Sequence, residues 1–253
     1  MELVQLHEIG RIPYRKAWEL QHQLFDEVVA DKLGRREIGQ EKDGGLHHLI
    51  LCEHPPVFTL GRSGSDSNLL VAEDWLAKQG IEFVRINRGG DVTFHGPGQL
   101  VGYPILDLDC FFTDIGKYLR FLEEAVIKVL AHYGLQGHRL PGATGVWLDP
   151  ENPFKARKIC AMGIRASRWV TMHGYALNVN TDLDHFNHII PCGIDDKQVT
   201  SMAKELGRSL EMEEVKELWK RAFSELFDLE LIKSEKVLVT GAGENSGPKP
   251  KKK

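Results

Sequence analysis

Apolar residues return along this chain at two spacings, and the switches between them outline its elements. From Pro13, a residue suited to a first helical turn, Tyr14, Ala17, Trp18, Gln21, Leu24, Phe25, Val28 and Val29 recur every three or four positions and predict a helix. Leu46 to Cys52 is a short apolar run stopped by Pro55–Pro56 and reads as a strand. Residues 61–68, with two glycines and three serines, predict a loop, and Val71 to Gln79 a short helix. Phe83 to Asn87 and Val92 to Phe94 read as two strands of a hairpin turning at Gly89–Gly90. Leu100 to Leu108 is a further strand.

The second half repeats the mixture. Ile115, Tyr118, Leu119, Leu122, Val126, Val129, Leu130 and Tyr133 share one face of a helix over Thr113 to Tyr133, ended by Gly134. Gly145–Leu148, Lys158–Arg165 and Trp169–Val179 predict strands, and Met212 to Phe227 a last helix with Val215, Leu218, Trp219, Ala222, Phe223 and Leu226 inward. Residues 241–253 hold Gly, Pro, Asn, Ser and four lysines, which cannot bury themselves and predict a disordered basic tail. Strands and helices interspersed in this way predict an α/β (α+β) fold in one domain over residues 1–240, without repeats.

Composition narrows the function. The 253 residues are 42% hydrophobic and 27% charged with a net charge of −4, ordinary for a globular protein and without a chain-wide basic field for nucleic acid. A local basic patch for an acidic protein partner remains compatible with that balance. The first residues lack the positive start and unbroken apolar stretch of a secretory signal, and no run approaches the ~18 apolar residues that span a bilayer. Cys52, Cys110, Cys160 and Cys192 are scattered without a C-x-x-C pair, so they read as reduced thiols. The expected compartment is the cytoplasm, with no membrane association.

Three segments could carry chemistry. Arg88 to Gln99 packs four glycines and a proline into twelve residues, which suits either close backbone approach to a ligand or a plain glycine-rich hairpin with solvated Arg88 and His95. In Lys158 to Arg165 strand alternation puts Lys158, Cys160 and Met162 on one face and Ile159 and Ala161 on the other. A lysine there is either an exposed edge charge or a functional cation. Pro191-Cys192-Gly193 would hold a thiol rigid and outward, although most free cysteines are buried and inert, as the contexts of Cys52, Cys110 and Cys160 suggest. His185, His188 and Cys192, with His173 upstream, follow no common zinc pattern, and neither a G-x-S-x-G elbow nor a phosphate loop is present.

Together the motifs over residues 45–205 resemble the lipoyl(octanoyl) transferase family. They are Glu53-His54-Pro55-Pro56 through Gly61-Arg62, the R-G-G-x-x-x-x-H-G-P-G-Q segment from Arg88, Thr144-Gly145-Val146-Trp147, the K-I-x-A-x-G-I-R strand from Lys158, His173 to Asn180, and Pro191-Cys192-Gly193. The resemblance implies the core of biotin and lipoate protein ligases, a mixed sheet flanked by helices. It implies that Cys192 carries the acyl group and that Lys158 lowers its pKa. Substrate contacts would come from Arg88, Gly89, Gly90, Asp91, Val92, Thr93, Phe94 and His95, from Ala161, Met162 and Gly163, and from Gly174, Tyr175 and Ala176. The implied donor is octanoyl-acyl carrier protein. The implied acceptors are lipoyl domains of 2-oxoacid dehydrogenase E2 subunits and the glycine cleavage H protein, with no cofactor or metal. Two features depart from the family: Cys160 shares Lys158's presumed face, and residues 149–157 read as an inserted turn, with Lys155 the substitute if the match shifts. An ATP-dependent ligase or a non-catalytic acyl-binding module on the same fold is the competing reading, and oligomeric state is left open.

Overall fold

Strand β1 (Glu2–Arg11) leads into helix α1 (Tyr14–Glu37), whose buried stripe runs from Tyr14 through Ala17, Leu24 and Val28. The computed structural model describes residues 1–40, 44–190 and 198–234. Strands β2 (His48–Glu53) and β3 (Val57–Leu60) flank the Pro55–Pro56 break, and helix α2 (Glu73–Lys78) precedes β4 (Glu82–Arg85) and β5 (Val92–His95). Strand β6 (Gln99–Ile105) is followed by helix α3 (Ile115–His132), where the Asp114 side chain accepts the Lys117 amide and caps the first turn. Then come β7 (His138–Leu140), β8 (Ala143–Leu148), β9 (Arg157–Ser167), β10 (Val170–Asn178), β11 (Gln198–Val199), the short helix α4 (Met202–Leu206), α5 (Met212–Phe227) and β12 (Leu229–Lys233).

Among the described residues the main sheet runs β12-β1-β2-β6-β10-β9-β8-β7, with β11 paired to β9 beside it. It is mixed: β12–β1, β1–β2 and β11–β9 are parallel, and the pairs from β2–β6 to β7–β8 are antiparallel. Strand β10 is buried along all nine residues because both of its faces are covered. Tyr175 and Leu177 enter the core formed with α3 and α5, while Met172 and Ala176 enter the core formed with α1. Trp219 of α5 stacks on Tyr175 at 4.5 Å between ring centroids. No helix among the described residues is long and apolar enough to cross a membrane.

The hairpin expected at Gly89–Gly90 does not form. Strand β4 pairs parallel with β3 and β5 pairs antiparallel with it, so β3 lies between them in a separate three-stranded sheet. The favoured two-residue hairpin turns need positive φ at the first turn residue, and one of them at both. Only Gly90 has it, at +88°, and the Gly89 amide instead donates to the Ile164 carbonyl of β9 at 2.9 Å. The segment between β4 and β5 is thereby pulled across to the main sheet. The basic tail expected at 241–253 lies outside the described residues.

Candidate active site

Where the small sheet meets the α1 side of the main sheet, a pocket opens with an empty volume of about 820 Å³ counting its mouth. Such a volume suits a small ligand. Its floor follows from register. Val101 of β6 stands opposite Ala176 of β10, which in turn stands opposite Ala161 of β9, and all three line the pocket. Small side chains level with one another on three adjacent strands leave an apolar slot. One rung further along, Gln99 pairs with Asn178.

The segment between β4 and β5 supplies one wall through Arg88, Gly90, Asp91, Val92, Thr93 and His95. Gly89 and Phe94, expected beside them, do not line it. The Gly89 carbonyl lies against Gly163, where a Cβ would sit 2.6 Å from it, and the Phe94 ring turns into the core of the small sheet and stacks on His185. Met162, Gly163, Gly174 and Tyr175 line the pocket with Ala161 and Ala176. Gly174 permits no side chain, since a Cβ would overlap the Gly102 carbonyl oxygen. We expect Gly174→Ala to lower stability by about 2 kcal/mol or more, because backbone cannot yield as a side chain can. Denaturant unfolding measures it, and an unchanged midpoint would contradict the close approach.

Lys158 faces the pocket with its ammonium 4.6 Å from the centre of the Trp147 ring, the residue opposite it on β8. The expected face-sharing with Cys160 is wrong. Val146 pairs with Cys160 and Trp147 with Lys158, so Ile159 is an extra residue in the ladder, and this bulge turns Cys160 to the other side. Cys160 is fully buried in the α3–α5 core, and burial pushes its thiol far above the ordinary range. It is therefore a poor competitor in thiol labelling. Lys155 is exposed on the turn before β9 and lines no part of the pocket. Cys192 lies outside the described residues.

His95 and His173 line the pocket, His54 packs against His95, and burial lowers the pKa of all three. His54 donates from Nδ1 to the Ile12 carbonyl at 2.8 Å, so its Nε2 accepts from the Tyr103 hydroxyl at 2.7 Å. Burial lowers the His54 pKa from the ordinary 6.5 to about 4, and that of His173 to about 3 with Arg88 adding repulsion. His95, fully enclosed, is also lowered by burial and by His54 and Arg88. His173 has a left-handed backbone, φ +61°, and its Nε2 meets Asn87 Oδ1 at 2.9 Å. In the unfolded chain these rings take protons near pH 6.5 that the folded protein refuses. Stability should thus be fully present above about pH 6.5 and fall as pH drops towards 4, by ~1.4 kcal/mol per unit for each ring. Unfolding midpoints measured between pH 7 and 4.5 test this, and His54→Gln should flatten the slope. A wild-type midpoint independent of pH over that range would contradict it.

Among the described residues, the histidines weighed as metal ligands in the sequence take other roles near the pocket. His185 stacks on Phe94, and His188 packs on Trp75 at 4.9 Å. Elsewhere Glu2, His47 and Cys110 bring their polar atoms within 4.8 Å of one another. There His47 Nδ1 accepts the Asp107 amide, which leaves the ring proton on Nε2 for Glu2 at 3.3 Å and reads as a hydrogen-bonded cluster.

The pocket also gathers residues outside the expected substrate contacts: Gln99, Thr144, His173 and Asn178 from within the motifs, and Tyr14, Val101, Tyr103, Phe186 and Val199 from outside them. For Gln99 and Asn178 a signal was available, since each is the lone amide of a mostly apolar strand and such a group, once buried, must find partners. Tyr14 and Phe186 gave none, because an aromatic residue on an apolar face reads as core.

The family model described as lipoyl protein ligase A/B catalytic domain matches residues 13–224. The chain is 56% identical over 229 residues to the octanoyltransferase of Christiangramia forsetii, covering 90% of this chain and 97% of that protein. It is 51% identical over 229 residues to the octanoyltransferase of Cytophaga hutchinsonii, covering 90% and 94%. Among solved structures it resembles the bi-partite lipoate protein ligase of Thermoplasma acidophilum, with a TM-score of 0.68, 19% identity and coverage of 92% of this chain and 87% of that one. That last likeness establishes the expected fold, a mixed sheet flanked by helices.

Proposed function

This chain belongs to the octanoyltransferases of the lipoyl protein ligase A/B catalytic family and is an acyltransferase, and from that premise we propose that it transfers an octanoyl group from an acyl carrier protein to a lysine of a lipoyl domain through a thioester on Cys192. The acceptors would be the lipoyl domains of 2-oxoacid dehydrogenase E2 subunits and the glycine cleavage H protein. The observation that carries the reading is that Lys158 and the Arg88–His95 segment open onto one pocket floored by Val101, Ala176 and Ala161. An acyl chain lying in that slot gains about 0.8 kcal/mol for each buried CH₂.

In the first step the Cys192 thiolate attacks the donor's carbonyl carbon. A new carbon–sulfur bond forms, the bond to the carrier's sulfur breaks, and that thiolate leaves with the electron pair. In the second step the neutral acceptor amine attacks the enzyme thioester, the amide forms, Cys192 leaves as thiolate, and the nitrogen passes its extra proton to water, which balances the proton the released carrier thiolate takes up. Two successive displacements let the carrier and the lipoyl domain use one site in turn. Lys158 supports the reading as the pocket's flexible cation, able to stabilise Cys192 as thiolate. Backbone amides of the glycine-rich segment are suited to the oxyanion.

The ATP-dependent ligase reading is less well supported, because the chain shares 51–56% identity with octanoyltransferases and 19% with a lipoate protein ligase. Incubation with octanoyl-carrier and a lipoyl domain in the absence of ATP should yield the octanoyl amide. Product only from free octanoate plus ATP would restore the ligase reading, and binding of octanoyl-carrier without turnover would restore the binding module.

A further inference from the structure

A line of polar side chains crosses the pocket from the small sheet to the strand that carries Lys158. Arg88 Nη2 donates to Thr59 Oγ1 at 3.0 Å, and Thr59 Oγ1 lies 3.4 Å from His95 Nε2. His95 Nδ1 lies 2.8 Å from Gln99 Oε1, and Gln99 Nε2 lies 2.8 Å from Asn178 Oδ1. Asn178 Nδ2 donates to the Thr200 carbonyl at 3.0 Å, and the Thr200 amide donates to the Lys158 carbonyl at 2.9 Å. Gln99 is 1% exposed and Asn178 4%, so water does not replace these partners.

The direction of every bond is set by groups that have no choice. The Phe94 carbonyl can only accept, and Gln99 Nε2 lies 3.1 Å from it, so the amide nitrogen must sit on that side. Gln99 Oε1 then faces His95, which obliges His95 Nδ1 to carry the proton and leaves Nε2 a bare acceptor for the Thr59 hydroxyl. At one end arginine can only donate, and at the other the Thr200 carbonyl can only accept. Each link polarises the next in the same sense, which strengthens such a chain in a buried setting. The titratable and charged groups around the ring are Tyr14 stacked on it, His54 at its edge, Arg88 and His173. A proton added at His95 Nε2 would turn the Thr59 hydroxyl from donor to acceptor and reverse the sense of that link.

We propose that Gln99 and Asn178 are positioning residues, which lock His95 as the neutral Nδ1–H tautomer and, through the Thr200 backbone, hold the Lys158 end of β9 in register with the Arg88 wall of the pocket. Neither residue belongs to the expected substrate contacts or the Cys192–Lys158 pair. Gln99 and Asn178 act through the groups they fix. Loss of either lets the two walls shift, and misplacement of about 1 Å costs up to a hundredfold in turnover.

The test uses full-length protein labelled with ¹⁵N in its histidine rings. Long-range proton–nitrogen NMR on the wild type should find His95 as the Nδ1–H form, and Gln99→Met should convert it to the Nε2–H form. With octanoyl-carrier and a lipoyl domain, Gln99→Met and Asn178→Asp should each lower kcat roughly tenfold to a hundredfold while KM for the carrier barely moves. His95 should keep its Nδ1 proton in Asn178→Asp, because Gln99 still receives it. A wild-type Nε2–H tautomer overturns the proposal without any variant, and so does undiminished kcat in either variant. Should Gln99→Met fail to fold, the wild-type spectrum and Asn178→Asp still decide. The kinetic arm rests on the acyl-transfer reading, whereas the tautomer is read from protein alone, so wild-type activity and wild-type spectrum separate the two failures.

Discussion

Cys192→Ala is expected to abolish octanoyl transfer, with a loss of roughly 10³-fold or more, because the alanine variant has no atom to hold the acyl group between its two partners. Direct attack of the acceptor amine on the carrier thioester would need both proteins at the pocket together, and one slot cannot serve both. Cys192→Ser should be nearly as inactive, since a hydroxyl is a far weaker nucleophile near neutral pH and its ester would resist the second step. The remaining thiols do not substitute. Cys160 and Cys52 are buried, and burial holds both thiols far above the ordinary range. Cys110 is half-buried, and burial together with Asp107 pushes its thiol up to about 11. A transfer assay over a range of enzyme concentrations measures the loss. Activity within tenfold of wild type in Cys192→Ala would remove the cysteine from the reaction.

The second large effect concerns Lys158. A cation within a few ångströms of a thiol lowers its pKa by one or more units, each worth ~1.4 kcal/mol. Lys158→Ala should therefore move the pH profile of alkylation at Cys192 upward. Once the thiol pKa lies above the ambient pH, every further unit of that shift leaves about one-tenth of the thiolate, so transfer falls by the same factor and recovers as pH rises. Lys158→Arg keeps the charge, but its planar head must share the space beside Trp147, so partial retention is expected. If lysine instead removes a proton from the acceptor amine, arginine will restore alkylation and not the second step. Alkylation and single-turnover transfer, measured separately, distinguish these roles. An unchanged alkylation profile in Lys158→Ala would end the charge explanation.

Much of the fold was legible where periodicity was long and uninterrupted. Helix α5 runs over Met212–Phe227 as its apolar stripe predicts, and α3 begins and ends within two residues of its expected limits. Strand β10 was visible as an apolar run, though not its place at the centre of the sheet, which depends on partners far away in sequence. Strands β1 and β12 were missed because they lie at and next to the sheet edge, where half-exposed positions carry polar residues and blur the alternation. The glycine pair at 89–90 was read as a local turn, yet its conformation is set by Ile164, some 75 residues on.

The site was legible in a similar way. The structure brings Lys158, Ala161, Gly163, Gly174 and most of the Arg88 segment, all taken from the motifs, to one pocket. Strict alternation put Cys160 beside Lys158, and one extra residue in the β8–β9 ladder reversed that. A bulge of this kind leaves no mark in hydrophobicity, since Ile159 and Cys160 are both apolar. The Gln99–Asn178 pair required the register of β6 on β10, which no local pattern contains.

The most direct measurement is peptide mapping of the protein after exposure to octanoyl-carrier without a lipoyl domain, followed by addition of the domain. We expect a single octanoyl thioester on the peptide containing Cys192, stable until the acceptor is added and then lost as the octanoyl amide appears on the acceptor lysine. An adduct on Cys52, Cys110 or Cys160, or an adduct on Cys192 that the lipoyl domain cannot discharge while transfer proceeds, would contradict it.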